Sequence, residues 1–319
     1  MHFVILGAGA LGILLSAHLA RAGHPVQLIA RGARARELAE KGLAVRGLVE
    51  FGARCEILTD PTAPTQANVF INTVKTQDSV AALASLTRLM PETVFSVQNG
   101  VVKEDELVAR FGAAPVLGAM ADFSGELLED GAVLFTRNIN LHLGELSGPV
   151  SARVEALVAA VHASGINART TPEIRSVIWS KYTGWLALFL MSVLTRRYTG
   201  EYLQDPDIAL TVARLVREAA QLPAAHGIPL QDISPMPVLS LSTESEQDAV
   251  ARIQALGARM FAQAPLHRLS ALQDLLRGRR LEVEETVGHA CREAAARGFA
   301  VPTLDTCYRV AAGINRALG

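Results

Sequence analysis

Apolar positions in the first half of the chain fall into short, unbroken runs. His2-Phe3-Val4-Ile5-Leu6, Pro25 to Ala30, Val69 to Val74 and Thr93 to Val97 are rich in β-branched and aromatic residues. Glycine, lysine, arginine or asparagine stands at or close to the end of each, and stretches with helical spacing lie between them. This pattern predicts strands at 2–6, 25–30, 69–74 and 93–97, and helices at 11–22, 33–41 and 78–89. Short strands are expected near 43–49 and 54–57, and further strands at 116–121 and 132–144. Continuous apolar strands that alternate with helices describe a parallel sheet covered on both faces, an α/β domain.

The pattern changes near residue 173, beyond which it is almost wholly helical. Asp205-Pro206 puts a capping carboxylate before a proline at the first helical position. Thr243-Glu-Ser-Glu246 and Ser270-Ala-Leu-Gln273 both read as capping boxes. Gly278, in Arg277-Gly-Arg-Arg280, is expected to separate two helices. The most apolar stretch, Trp185 to Leu194, falls short of the ~20 residues that span a bilayer and reads as a buried helix. A boundary near Gly165 and Pro172 divides the chain into a nucleotide-binding domain, 1–170, and an all-helical substrate-binding and catalytic domain, 171–319.

Gly7-Ala8-Gly9-Ala10-Leu11-Gly12 follows the first strand at once and opens the first helix. In that setting G-x-G-x-x-G marks dinucleotide binding and a Rossmann-type sheet. Gly7 serves the tight turn, Gly9 lets the backbone approach a pyrophosphate, and Gly12 lets helix and strand pack closely. The unpaired amides of the helix N-terminus then face the phosphates. An NAD site wants Asp or Glu at the end of the second strand. Here that strand ends at Arg31-Gly32, with Arg34 and Arg36 beyond. A guanidinium forks onto a phosphate, so Arg31 points to NADPH. Arg34 and Arg36 are equally readable as a solvated basic loop.

The 319 residues carry a net charge of -1, which lacks the basic excess of a nucleic-acid surface. The three cysteines, Cys55, Cys291 and Cys307, have no C-x-x-C spacing and read as reduced core thiols of a cytoplasmic protein. The eight histidines show no ligand spacing, so no metal is expected. The N-terminal apolar stretch lacks a basic region before it and is broken by glycines, which does not fit a signal peptide.

Lys75 and Asn99 follow the ends of parallel strands, where ligands of such sheets bind. A lysine at a helix start is unfavourable unless an anion is near, so Lys75 suits a phosphate or ribose; an ordinary surface lysine is the plainer reading. Asn99 before Gly100 suits either a cleft contact or a turn. Lys181 is the one charge between Arg175 and Arg196. A partly buried lysine has a lowered pKa suited to proton transfer, whereas one that snorkels to water does not. Glu282 would accept a substrate hydroxyl or orient Lys181, and Ser270 and Asp274 lie on the same polar stretch. The plainer readings are an N-cap for Ser270, a helix N-terminal carboxylate for Glu282 and, as the preferred one, a solvated face for Asp274.

These features, in this order, resemble the ketopantoate reductase (2-dehydropantoate 2-reductase) family: Gly7 to Gly12, Arg31, Val74-Lys75-Thr76, Gln98-Asn99-Gly100, Trp179-Ser180-Lys181, Ser270-x-x-x-Asp274, Arg280-x-Glu282 and Val301-Pro302-Thr303. The resemblance spans nearly the whole chain. It implies a Rossmann domain followed by a helical domain, and NADPH-dependent reduction of a 2-oxo acid, with ketopantoate as the default. It casts Lys181 as general acid, Ser270 and Glu282 as substrate ligands, and Lys75 and Asn99 as cofactor and cleft contacts. The chain departs from the family where asparagines are usual: Trp185, Phe189, Thr199 and His267 occupy those positions, and Leu281 replaces a threonine. Each lost amide removes hydrogen bonds to a polar substrate. The reaction type is therefore expected to persist while the substrate moves toward a more apolar 2-oxo acid; alternatively the two rings simply pack in the core. An imine-reducing, opine-type enzyme and a non-catalytic NADPH-binding protein are the other readings. The expected partners are a small-molecule 2-oxo acid and, as a candidate, a second copy of the chain; no nucleic acid and no membrane are expected.

Overall fold

The computed structural model describes residues 1–233 and 235–318, and its contacts divide the chain into two units, Met1–Arg175 and Ser176 onward. The first runs β1 (Phe3–Leu6), α1 (Ala10–Arg21), β2 (Val26–Ile29), α2 (Gly32–Lys41), β3 (Leu43–Gly47), β4 (Phe51–Ala53), β5 (Glu56–Leu58), β6 (Gln66–Asn72), α3 (Thr76–Ala84), β7 (Met90–Ser96), α4 (Lys103–Phe111), β8 (Leu117–Leu127), β9 (Val133–Glu145), α5 (Ala152–Ala163) and β10 (Ala168–Thr170). Five strands pair in the order β5-β2-β1-β6-β7, all parallel. A second sheet, β10-β9-β3-β4, carries β8 antiparallel to β9.

The continuous apolar runs are explained by burial on both faces. In β1, Phe3 and Ile5 join one core cluster while Val4 and Leu6 join another. The expected Rossmann-type parallel sheet is what forms. The strand read as 69–74 stops at Asn72, whose Oδ1 accepts from the Val74 amide (3.3 Å) and turns the chain. The following helix ends at Ala84 rather than 89, where Ser85 Oγ donates back to the Ala82 carbonyl (2.6 Å).

The second unit continues α6 (Ile174–Thr195) and adds α7 (Thr199–Tyr202), α8 (Pro206–Ala225), α9 (Val238–Thr243), α10 (Glu246–Gln263), α11 (Ser270–Leu276), a π-helical turn (Glu284–Gly288), α12 (His289–Ala296) and α13 (Pro302–Arg316). Asp205 caps α8 as expected, accepting from the Asp207 and Ile208 amides. The other two caps fall elsewhere. Ser245, not Thr243, caps α10 by accepting from the Asp248 amide. The cap position of α11 is Leu269, so Ser270 is its first residue and no side chain closes that end. Helix α6 is 22 residues long, and by length and composition alone it would cross a membrane; most of it is buried inside the protein.

His142 on β9 is buried, and Arg169 Nε donates to its Nδ1 (3.3 Å). Protonation would break that bond. Burial pushes the imidazole down to about 4, with the Arg169 charge acting the same way and Asp122 opposing. Burial also lowers His18. The unfolded chain takes up these protons near the ordinary value of 6.5, so stability is complete above that pH and is lost as pH falls toward 4. The urea unfolding midpoint should drop between pH 7 and pH 4.5. His142→Gln should remove about 2 kcal/mol of that drop; an unchanged pH slope would show that His142 titrates normally.

Candidate cofactor and active site

The carboxyl ends of four adjacent strands carry the nucleotide-site residues expected from sequence. The glycine turn follows β1, Arg31 follows β2, Lys75 lies beyond β6, and Asn99 lies beyond β7. The chain reverses its winding between β1 and β6, and such a switch point opens a crevice beyond the strand ends.

Each glycine of the fingerprint has a separate geometric reason. Gly7 has φ +107°, and a Cβ there would lie 2.9 Å from Thr73 Oγ1. A Cβ on Gly12 would lie 1.9 Å from the Gly7 carbonyl oxygen. Around Gly9 nothing lies within 4 Å of such an atom, so the space at the N-cap of α1 is open. That end of α1 has no side-chain cap and no acidic residue in its first turn. Its amides and dipole therefore suit an anion, and the residues present fit a pyrophosphate. Thr73 Oγ1, 2.9 Å from both the Leu6 and Gly7 carbonyl oxygens, fastens the turn to the end of β6.

The three arginines separate cleanly. Arg34 Nη2 donates to the Gly131 carbonyl (2.7 Å) and Nη1 to Glu37 (2.7 Å), so it ties α2 to the β8–β9 turn. Arg31 and Arg36 are exposed, and Arg31 is the one at the strand end. Lys75 and Asn99 are half-buried. Beneath them lie buried polar residues to which sequence reasoning assigned no role, Asn72, Ser96 and Gln98, although Gln98 belongs to the Gln98-Asn99-Gly100 motif. The one available signal was amide side chains at or just past the ends of otherwise apolar strands. Lys103 and Glu104, paired at 2.7 Å and buried just after Asn99, were also missed. Burial raises the Glu104 carboxyl, and the Lys103 ammonium opposes that shift.

In the second unit, Lys181 is half-buried on α6. Glu282 is buried, and it precedes the π-helical turn instead of beginning a helix. The segment that carries it is pinned three ways. Leu281 N donates to Asn315 Oδ1 (2.8 Å), Thr286 Oγ1 donates to the Glu282 carbonyl, and Tyr182 Oη donates to the Thr286 carbonyl (2.8 Å). The residue next to Lys181 thus grips the turn that follows Glu282. Ser270 is exposed at the start of α11. Asp274 is buried, which corrects the solvated-face reading: helical spacing puts it beside buried Ala271, not on the outer face.

Two pairs of residues occupy the divergent positions. Trp185 and Phe189, one turn apart on α6, are buried with ring centroids 4.9 Å apart at 43°. Thr199 N donates to the His267 carbonyl (3.0 Å), and Thr199 Oγ1 lies 3.2 Å from His267 Nδ1. Among the described residues, no group of His, Cys, Asp and Glu is arranged to hold a metal ion.

Two family models match the chain. The one described as Ketopantoate reductase PanE/ApbA covers residues 3–148, and its C-terminal counterpart covers 173–315. A 2-dehydropantoate 2-reductase of Archaeoglobus fulgidus is 28% identical over 316 residues, 98% of each chain. The crystal structure of a PanE/ApbA family ketopantoate reductase from Ralstonia eutropha JMP134 aligns with TM-score 0.84 at 25% identity, covering 100% of this chain and 99% of that one. A D-mandelate dehydrogenase, solved with NADH and anilino(oxo)acetate, aligns with TM-score 0.86 at 21% identity over 100% and 99% of the two chains, a likeness of fold.

Gly9→Ala and Gly12→Ala should fail differently. The added methyl at residue 9 meets no protein atom, so the melting temperature should hold while NADPH binding, followed by fluorescence, weakens. The methyl at residue 12 strikes backbone and should cost about 1–3 kcal/mol of stability. Equal melting temperatures for the two variants would contradict this account of the turn.

Proposed function

The chain belongs to the ketopantoate reductase family, oxidoreductases that act on a CH–OH group, and from that premise we propose that it reduces a 2-oxo acid to the 2-hydroxy acid with NADPH. Ketopantoate is the default substrate. The observation that carries the reading is the open, uncapped end of α1 at Gly9, flanked on the same sheet edge by Arg31, Lys75 and Asn99.

In this reading Gly7 to Gly12 hold the pyrophosphate and Arg31 the 2′-phosphate. Lys75 and Asn99 contact cofactor and substrate. When bound, NADPH supplies the hydride that reaches the carbonyl carbon. The Lys181 ammonium gives a proton to the carbonyl oxygen and steadies the charge developing there. Glu282 accepts from the substrate hydroxyl or orients Lys181, and Ser270 binds substrate. The enzyme would work in the cytoplasm with its thiols protonated: burial pushes Cys55 up to about 11 and Cys291 up to about 12. A second copy of the chain is the macromolecular partner in this reading, and light scattering at one or two chain masses decides the point.

The two residue pairs at the divergent positions favour a second reading for the substrate alone. A buried indole–phenyl pair and a threonine–imidazole pair stand where amides are usual in the family. Fewer amides suit a 2-oxo acid with an apolar or aryl side chain. NADPH oxidation should be followed with ketopantoate beside a panel of bulkier 2-oxo acids. Faster turnover of ketopantoate establishes the default, and faster turnover of an aryl oxo acid establishes the second reading.

Lys181→Ala should lose turnover by roughly 100-fold or more while NADPH still binds. Full activity in that variant removes the lysine from the chemistry. Arg31→Ala should lower the NADPH to NADH preference in kcat/KM, and an unchanged ratio would remove Arg31 from the 2′-phosphate site.

A further inference from the structure

Below the loops that carry Lys75 and Asn99 lies a polar network closed to solvent. Asn72, Ser79 and Ser96 are fully buried and Gln98 nearly so. Asn72 Nδ2 donates to Ser79 Oγ (3.1 Å) and to Gln98 Oε1 (3.1 Å). Ser96 Oγ donates to the same Gln98 oxygen (2.7 Å). Gln98 Nε2 donates to the Val74 carbonyl (2.9 Å), and the Val74 amide donates to Asn72 Oδ1 (3.3 Å). Both backbone groups of Val74 are therefore held by side chains at the ends of β6 and β7. Lys75 is the next residue, and Asn99 follows Gln98.

Amides inside an apolar sheet end are costly unless every group is matched, and a network so matched is rigid. Packing alone does not call for this one, since an apolar side chain of similar volume would fill the same space. Its distinguishing feature is direction: two donated bonds reach out of the strands, one from Asn72 to Ser79 on α3 and one from Gln98 to the carbonyl just before Lys75.

We propose that Gln98 is a positioning residue for Lys75, locking the β6–α3 loop to the strand that ends beside Asn99. The proposal rests on the reading above that Lys75 contacts the cofactor. Gln98 touches no ligand in this account and acts through the Val74 carbonyl.

The test is a set of NADPH dissociation constants, read by fluorescence titration on the full chain. Lys75→Ala checks the underlying reading; unchanged affinity there would refute the cofactor role of Lys75 and the proposal with it. If Lys75→Ala weakens binding, Gln98→Met should weaken it by roughly tenfold, the order expected when a buried hydrogen bond is lost. Ser79→Ala is the structural control, since it also strips a partner from Asn72 but leaves the Val74 carbonyl held. It should lower the melting temperature with little change in affinity. The double variant Lys75→Ala/Gln98→Met should bind no worse than Lys75→Ala alone. Equal losses in Gln98→Met and Ser79→Ala, or additive losses in the double variant, would overturn the proposal. Should Gln98→Met not fold, Gln98→Glu keeps the acceptor for Asn72 and Ser96 and loses the donation to Val74, with the same expectation.

Discussion

Van der Waals contact between the Gly7 carbonyl and the backbone of Gly12 governs the first unit. There is no room between them for even a methyl group. That closeness sets the first turn of α1 directly over the end of β1 and aims its free amides outward. Thr73 fixes the same turn from the neighbouring strand, so the exposed end of α1 is defined by two adjacent strands rather than by a free loop. The remaining nucleotide-site residues inherit their placement from the strand order, because each follows a strand of the same parallel sheet.

The helical unit solves a different problem. A half-buried lysine and a buried glutamate must be held by elements far apart in sequence. Tyr182 does part of this by bonding a carbonyl within the π-helical turn. A π turn leaves backbone bonding looser than an α-helix does, and such turns recur at functional sites. Here Tyr182 takes up a carbonyl of the turn itself, while Asn315 and Thr286 hold Leu281 and Glu282 just ahead of it. Burial keeps the Tyr182 phenol well above its ordinary range, so it remains protonated and a hydrogen-bond donor at neutral pH.

Much of the first unit was legible because its signals are local. A strand, a glycine turn and a helix announce themselves within twenty residues, and unbroken apolar runs specify a sheet buried on both faces. Arg31 could be separated from Arg34 only in three dimensions, since the partner of Arg34 is a backbone carbonyl of Gly131, far along the chain. The same holds for Gln98, whose partners come from two strands and the loop between β6 and α3. In the helical unit, two capping patterns pointed to the wrong position: Ser245 rather than Thr243 caps α10, and Leu269, with no side-chain bond, stands at the cap of α11. Ser245 competes with Thr243 for the start of α10, and sequence alone does not rank them. Asp274 was misjudged because an isolated carboxylate in a short helix reads as solvated unless its neighbours' burial is known.

The contact between Thr199 and His267 bears on how these two positions can change. The two residues are far apart in sequence, yet they are joined by a main-chain bond and a side-chain contact. Neighbours of this kind are not energetically independent. An exchange at one position changes the worth of every residue at the other, so a single exchange at either meets a partner fitted to the present pair. Coupling of this sort makes change at these two positions a paired step, and it favours libraries that vary residues 199 and 267 together.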